Sequence, residues 1–241
     1  MTPGAPAMTV HGWLRHDVVR RFIPKDTRSI LEIGAGEGAL GSILARDYDY
    51  VGLEPDRESY EAALARIGSD GKVFRLREED YSGPDFEVVC ALEVLEHIED
   101  DVAALRRWKR HLVPGGWIIV SVPAGRDRFG PTDERQGHFR RYEREDLARA
   151  LTDAGFENVT VVSYGFPIGY LLHAVSNVQA RRKPRAATQE QRTAASGRWM
   201  QPSHRAFRRA VASPFTLLQR PFEDTRLGTG LVARARTSSG P

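Results

Sequence analysis

The sequence predicts an α/β fold in which a parallel sheet carries helices on both of its faces. Five short apolar segments have the length and composition of buried strands, and helix-like stretches separate them. Strict alternation of strands and helices is typical of parallel sheets, because each crossover connection needs room for a helix. The 241 residues, 41% of them hydrophobic, suffice for one domain with a substantial core. The predicted strands are residues 29–33, 49–54, 72–77, 85–92 and 116–122.

A helix is also predicted near the start of the chain. Apolar residues recur at helical spacing over 9–23, and Pro24 ends the pattern. The helix-like stretches between the strands are residues 38–47, 56–67 and 100–112. The remaining predicted elements are a long polar loop over 124–142, a helix over 142–156, and strands near 158–165 and 227–237. A polar connection of this length is too long for a plain connector, so we expect the loop to be functional.

A single cysteine limits the possible chemistry. Cys90 cannot form a disulfide within the chain, and cysteine-based zinc sites need more thiols than the sequence has. We therefore predict no metal site and a reducing, cytoplasmic location. The sequence also lacks the run of about 18 to 20 apolar residues that a membrane span requires. Its first ten residues have neither the basic flank nor the apolar core of a secretory signal.

Positive charge is concentrated in the C-terminal part of the chain. Residues 1–173 hold 22 Lys and Arg against 29 Asp and Glu, whereas residues 174–241 hold 13 against 3. We expect an Arg-rich helical cap or lid over 166–226, inserted between the last two strands. Alternatively, this region docks on an anionic membrane surface, while its few aromatic residues make RNA a less suitable partner. The predicted organisation is a helical segment (1–26), a core (27–165), the cap (166–226) and a last strand with its tail (227–241).

The most specific motif is LEIGAGEGAL, where a predicted strand ends and a helix begins. Gly34, Gly36 and Gly38 would let the backbone approach a ligand closely, and the helix N-terminus offers free amides. Read as G-x-G-x-x-A, the motif also fits a dinucleotide-binding fingerprint, and Glu54 follows at the spacing of a ribose-binding acid. Glu32 favours a different ligand, because a carboxylate beside the loop suits a cationic ammonium group better than a pyrophosphate.

The E-x-G-x-G-x-G spacing resembles the methyl-donor loop of class I S-adenosylmethionine-dependent methyltransferases, and the resemblance extends over residues 27–165. It implies a Rossmann-like, mostly parallel sheet of seven strands whose last strand is antiparallel, with S-adenosylmethionine as the cofactor. It also implies that Glu54 binds both ribose hydroxyls and that Asp80 and Tyr81 meet the adenine. The other residues that the resemblance places at the cofactor are Glu32, Gly34, Gly36, Gly38, Pro55, Ala91 and Leu92.

Two further segments concern the methyl acceptor. ALEVLEHIED resembles the part of the family that follows the fourth strand, and GHFRRYEREDLARALTDAGF resembles the version found in small-molecule methyltransferases, including ubiquinone-type O-methyltransferases. They suggest Glu93, His97, Arg141 and Tyr142 as substrate-binding residues. We predict that His138, beyond the fifth strand, takes a proton from a hydroxyl acceptor, because ligands bind there in open α/β sheets. Alternatively, His138, Arg141 and Tyr142 only shape the pocket, and the acids near His97 only cap a helix.

The predicted function is methyl transfer from S-adenosylmethionine to a small molecule, with oxygen as the preferred acceptor atom. N-methylation of a small amine and methylation of a lipid-linked substrate are alternatives within this chemistry. Outside it, a non-catalytic cofactor-binding module and an NAD-dependent oxidoreductase remain open. The fourth strand is not followed by the [DN]-P-P-[YFW] tetrapeptide that resembles base-methylating enzymes, so DNA is not an expected partner. The oligomeric state is left open.

Overall fold

A seven-stranded sheet organises the part of the chain that the computed structural model describes, residues 8–170 and 215–239. The strands are β1 Ser29–Ile33, β2 Asp49–Leu53, β3 Lys72–Phe74, β4 Phe86–Leu92, β5 Leu112–Pro123, β6 Glu157–Tyr164 and β7 Gly230–Arg236. Their order across the sheet is β3-β2-β1-β4-β5-β7-β6. The predicted α/β class with a mostly parallel seven-stranded sheet is confirmed.

The strand pairing brings the chain segments that follow the strands to one rim. β1 pairs in parallel with β2 and β4, and β3 and β5 extend the sheet in the same direction. β7 runs antiparallel to both β5 and β6, as the family resemblance implies. The strand order reverses between β1 and β4, and ligands of open α/β sheets bind outside the carboxyl ends of the strands at such a point. This rim, which we call the carboxyl rim, is therefore where a site is expected.

Three of the helices, those that begin at Val10, Arg57 and Asp101, follow a residue whose side chain caps them. The side chains of Thr9, Asp56 and Asp100 each accept a hydrogen bond from the amide three residues further on. These bonds satisfy amides that have no partner inside a helix. The helices are α1 Val10–Phe22, α2 Gly41–Leu44, α3 Arg57–Ile67, α4 Asp101–Lys109, α5 Pro131–Gln136 and α6 Arg144–Asp153.

Apolar side chains are buried on both faces of the sheet. On one face, Trp108 of α4 and Leu147 of α6 pack against the central strands. On the other, Leu14 and Val18 of α1 and Ile67 of α3 do the same. Because helices cover both faces, the strands are apolar along most of their length, as parallel sheets require.

Several predicted boundaries differ from the observed ones. β3 ends at Phe74 rather than at residue 77, and β5 begins at Leu112 rather than at residue 116. The predicted helix over 38–47 is reduced to the four residues of α2. Gly38 has a positive φ of 73°, which is incompatible with a right-handed helix and delays its start.

The polar stretch over 124–142, which the sequence predicts as a loop, is helical in part. It contains α5, which has a proline in its first turn, where the missing amide does no harm. The Asp133 carboxylate caps the helix by accepting a hydrogen bond from the N-cap amide at 2.9 Å. Gly137 ends the helix in the left-handed conformation. His138 is therefore held at the end of a short helix.

Most of the predicted cap, residues 171–214, lies outside the described residues. The C-terminal end of the predicted cap, residues 215–226, is described, and its buried Gln219 binds α1. Gln219 accepts a hydrogen bond from the Gly165 amide and donates one to the Leu14 carbonyl, both at 3.1 Å. No helix in the described ranges combines the length and hydropathy needed to cross a membrane. The domain boundaries stay predictions.

We expect Trp108→Ala to lower the free energy of unfolding by about 3–5 kcal/mol, because it empties a fully buried site on the face of the sheet that α4 and α6 cover. Urea denaturation followed by circular dichroism measures this loss. Leu64→Ala is the control, since Leu64 is 45% exposed on α3 and its truncation should change stability by about 0.5 kcal/mol or less. Equal losses in the two variants would contradict the assignment of the core.

Candidate active site

The glycine loop after β1 is shaped for close approach of a ligand. Gly34, Gly36 and Gly38 all have positive φ values of 55–73°. A Cβ at Gly34 would lie 2.6 Å from a Val94 methyl group, and one at Gly38 would lie 2.9 Å from the Ala63 backbone. A Cβ at Gly36 would meet no atom within 4 Å. Two glycines thus allow tight packing of the loop, and the middle one borders open space at the carboxyl rim.

Glu54 fixes this loop to the end of β2. One of its carboxylate oxygens accepts a hydrogen bond from the Gly36 amide at 2.8 Å, and the other accepts one from the Asp56 amide at 2.9 Å. Burial raises the pKa of Glu54, and the two amide bonds partly offset this effect. Each oxygen keeps one lone pair for a further donor. The carboxylate can therefore accept two ligand hydroxyls beside the loop. The next residue, Pro55, which was also predicted at the cofactor, is exposed.

Glu32 is buried beside the glycine loop and bonded to a tyrosine. Its carboxylate accepts a 2.6 Å hydrogen bond from the Tyr50 hydroxyl. Gly52 stands opposite Glu32 in the sheet, and a Cβ there would collide with the Tyr50 hydroxyl. Burial raises the pKa of Glu32 to about 7, although the Tyr50 bond and the charge of Arg15 act in the opposite direction. Burial thus favours the protonated form of Glu32 up to a higher pH than for an ordinary glutamate.

The residues predicted to meet the adenine lie further along the carboxyl rim. Asp80 is exposed in the single helical turn Glu78–Asp80 after β3. The Tyr81 ring contacts the rings of Phe74, Phe86 and His111 at centroid distances of 5.7–6.3 Å. Ala91 and Leu92, which the resemblance places at the cofactor, are buried at the end of β4. Tyr81 therefore also packs the edge of the core, a contribution that the sequence did not indicate.

Glu93 follows β4, and its backbone has a φ of 59°, a conformation that residues other than glycine rarely adopt. One oxygen accepts hydrogen bonds from the hydroxyls of Ser121 and Tyr164, at 2.8 and 3.2 Å, and pairs with the Arg15 guanidinium at 3.3 Å. Burial alone would raise the pKa of Glu93, but the charges of Arg15 and His11 and the Ser121 bond lower it below its usual range. Glu93 is therefore held as a carboxylate.

Arg15 is one of the site residues that sequence reasoning missed. It reaches Glu93 from α1, which the sequence presented only as an amphipathic helix. His11, one turn earlier, stacks against the ring of Tyr164 with centroids 4.8 Å apart. The signal in the sequence was this pair of polar residues four apart, which lie on one face of a helix.

Glu96, His97 and His138 form a second group at the carboxyl rim, which we call the acceptor-side cluster. Among the described residues, neither oxygen of the buried Glu96 has a hydrogen-bond partner. Burial and the charge of Glu93 raise the pKa of Glu96 well above its usual value. Burial and the nearby His138 lower the pKa of His97 to about 4, so His97 is neutral at physiological pH.

A divalent ion would fit the chemistry of this cluster. One ligand atom from each of its three residues lies within 4.8 Å of the others. A carboxylate with two imidazoles is a donor set that transition ions accept. An ion would also compensate the Glu96 oxygens, whose burial without partners is unfavourable. The sequence-based expectation of no metal stays a prediction.

The side chain of His138 is 6% exposed and anchored at one ring nitrogen. Nδ1 lies 2.8 Å from an oxygen of Asp133, and Nε2 lies 3.9 Å from an oxygen of Glu96. Arg141 and Tyr142 have other partners. The Arg141 guanidinium donates to Asp133 at 2.8 Å, and the Tyr142 hydroxyl donates to Asp101 at 2.9 Å. These two residues hold the wall of the site in place.

Glu32→Gln should remove a pH dependence of stability. In the folded protein Glu32 keeps its proton up to a pKa of about 7, whereas in the unfolded chain it releases the proton near the ordinary glutamate pKa of 4.5. The free energy of unfolding of the wild type therefore falls as pH rises between these two pKa values. Glu32→Gln has no titrating group at this position, so its free energy of unfolding does not fall for this reason. We expect the variant to gain about 2 kcal/mol relative to the wild type between pH 5 and 8, as measured by urea denaturation. Glu61→Gln, on an exposed face of α3, is the control. Parallel profiles for the wild type and Glu32→Gln would contradict the account.

Comparison with known proteins identifies the family. A sequence model described as a methyltransferase domain matches residues 11–161, more than half of the chain. A probable S-adenosylmethionine-dependent methyltransferase of Mycobacterium tuberculosis is 30% identical over 160 residues, which cover 61% of this chain and 56% of the relative. A ubiquinone biosynthesis O-methyltransferase of Azorhizobium caulinodans is 36% identical over 125 residues, or 46% of this chain and 49% of the relative. The chain spans about half the length of the curated relatives it matches.

Solved structures share the fold at lower identity. A possible histamine N-methyltransferase of Thermotoga maritima superimposes with a TM-score of 0.57 at 19% identity, over 92% of this chain and 87% of that one. A phosphoethanolamine N-methyltransferase of Haemonchus contortus in complex with S-adenosylmethionine gives 0.60 at 16% identity, over 97% and 54%. The family match excludes the NAD-dependent oxidoreductase alternative. The chain therefore belongs to the methyltransferase-domain family, within the class I branch whose methyl donor is S-adenosylmethionine.

Proposed function

We propose that the protein methylates a hydroxyl oxygen of a small molecule. The observation that carries the proposal is the anchored imidazole of His138 at the carboxyl rim. Its Nδ1 lies on Asp133 and its Nε2 lies on the side of Glu96. An imidazole held in this way can accept a proton from a hydroxyl nucleophile. The similarity to ubiquinone biosynthesis O-methyltransferases supports the same acceptor atom.

On the donor side, bound S-adenosylmethionine supplies a methyl group on a positively charged sulfur. We assign the ribose hydroxyls to Glu54, because both of its oxygens keep a lone pair beside Gly36. Glu32 and Arg15 provide the opposite charges that the ammonium and carboxylate of the methionyl group require. The predicted adenine contacts Asp80 and Tyr81, the loop glycines, and the further predicted cofactor-binding residues Ala91 and Leu92 complete this proposed donor site.

On the acceptor side, the groups have different protonation states and therefore different proposed roles. Glu93 is ionised and its side chain is 30% exposed, so it can accept a hydrogen bond from the substrate. His97 is neutral and a weak base, because its pKa is about 4. His138 is then left as the proton acceptor, and Arg141 and Tyr142 hold the wall around it. In-line alignment of the nucleophile, methyl group and sulfur supplies the rest of the acceleration.

A divalent ion in the acceptor-side cluster is a second form of this chemistry, favoured by the unpartnered oxygens of Glu96. The ion would be held by Glu96, His97 and His138, and it would lower the pKa of a bound hydroxyl. Binding of Mn²⁺ followed by electron paramagnetic resonance separates the two forms. Binding that Glu96→Gln abolishes would support the ion, whereas no binding to the wild type would leave His138 to act without one.

The remaining alternatives concern substrate class and location. N-methylation of an amine needs no general base, so a full rate in a variant without His138 would favour it. A lipid-linked substrate depends on the basic region, most of which lies outside the described residues. We propose a free small molecule as the substrate and the cytoplasm as the location, in keeping with a single buried cysteine.

Glu54→Ala should weaken the binding of S-adenosylhomocysteine by about 10- to 1,000-fold, because the ribose loses charge-assisted hydrogen bonds. Calorimetric titration measures the affinity. Glu61→Gln is again the control, because that carboxylate is exposed on α3. Unchanged affinity in Glu54→Ala would contradict the assignment of the ribose site.

His138→Gln should lower kcat by about 100- to 10,000-fold, with little change in affinity for the methyl donor. Glutamine keeps one hydrogen bond for positioning but cannot take the proton. The assay is release of S-adenosylhomocysteine with a panel of hydroxylated small molecules. His16→Gln is a matched control, since His16 faces Ile43 and Tyr48 away from the cluster. Near-normal turnover in His138→Gln would overturn the base role.

A further inference from the structure

Asp133 has no role in the sequence-based assignment, yet its carboxylate has three hydrogen-bond partners at the site. It is fully buried in α5. One oxygen lies 2.8 Å from both His138 Nδ1 and the Arg141 guanidinium, and the other accepts the Gly130 amide at 2.9 Å. Three donors therefore converge on one buried carboxyl group.

The hydrogen-bond partners determine which nitrogen of His138 carries the proton. The Arg141 guanidinium, which is always charged, donates to one oxygen of Asp133, and the Gly130 amide donates to the other, so both oxygens act as acceptors and Asp133 is a carboxylate. A carboxylate only accepts hydrogen bonds, so Nδ1 must donate. In the neutral ring the lone pair is then on Nε2, the nitrogen 3.9 Å from Glu96.

From this geometry we propose that Asp133 is a positioning residue that fixes His138 in the tautomer with Nε2 unprotonated and facing the acceptor-side cluster. The proposal rests on the role assigned to His138 in the proposed function. It holds for either form of the chemistry, because a base and a metal ligand both need the Nε2 lone pair. Asp133 itself does not touch the reacting atoms.

Removal of the carboxylate would remove this constraint on the imidazole. Asp133→Ala leaves Nδ1 of His138 without the oxygen to which it now donates. A neutral histidine that has no acceptor at Nδ1 favours the Nε2-protonated tautomer. His138 then carries its proton on Nε2, where no lone pair remains for the substrate. Asparagine would not test this, because His138 and Arg141 share one oxygen and an amide oxygen in that place would keep both bonds.

The test is ¹⁵N nuclear magnetic resonance of the histidine side chains in protein treated with a chelator, with the His138 signals assigned from their loss in His138→Gln. We expect the wild type to show a protonated Nδ1 and an unprotonated Nε2, and Asp133→Ala to show the reverse. A wild-type His138 protonated on Nε2 would overturn the proposal even if no variant folds. An unchanged tautomer in a folded Asp133→Ala would overturn it as well.

Kinetics give the second readout. Asp133→Ala should lower kcat by about 100- to 10,000-fold while the affinity for S-adenosylhomocysteine stays unchanged. The matched control is Asp146→Ala, because Asp146 caps α6 in the same way at 3.1 Å and pairs with Arg126. A tautomer that reverses without loss of turnover, together with normal turnover in His138→Gln, would refute the proposed base role and leave the positioning of the ring intact. Equal kinetic losses in both Asp variants would mean that capping alone explains the effect.

Discussion

The parallel pairing of β1, β2, β4 and β5 is the constraint on which the rest of the structure depends. It places the residues that follow each strand on one rim, so that the glycine loop, Glu54, Glu93 and the segment around α5 become neighbours although they are far apart in sequence. Helices on both faces leave this rim as the place where polar groups can gather. The position of the site is thus a consequence of strand direction, and its chemistry is a consequence of the side chains that the rim collects.

Buried charge gives the site its character. Glu93 and Asp133 are kept ionised by Arg15 and Arg141, whereas burial without a partner favours the neutral form of Glu96. Buried charges of this kind contribute little to stability compared with apolar packing, and their concentration at one rim is typical of functional sites. Burial also makes His97 a weaker base. Acids and imidazoles that look equivalent in the sequence therefore differ in what they can do.

Local patterns predicted the strands, the glycine loop and the position of Glu54, because each depends on neighbours within a few residues or on a spacing that the βαβ unit sets. Long-range contacts were not accessible in this way. Arg15 pairs with Glu93, and Tyr50 reaches Glu32 across Gly52, only after the sheet has formed. α5 was missed because its short, polar sequence has no apolar period, although its proline and capping aspartate are start signals. The substrate itself leaves no local signal.

The central claim is that the donor site at Glu54 and the proton acceptor His138 serve one reaction centre. The most direct measurement is the distance between the sulfur atom and His138 Nε2 in a crystal structure with S-adenosylhomocysteine. The account predicts ribose hydroxyls within hydrogen-bond distance of Glu54 and a sulfur within about 8 Å of Nε2, since a methyl group and one acceptor oxygen must fit between them. A ligand that leaves Glu54 without a contact, or a sulfur directed away from the acceptor-side cluster, would contradict it.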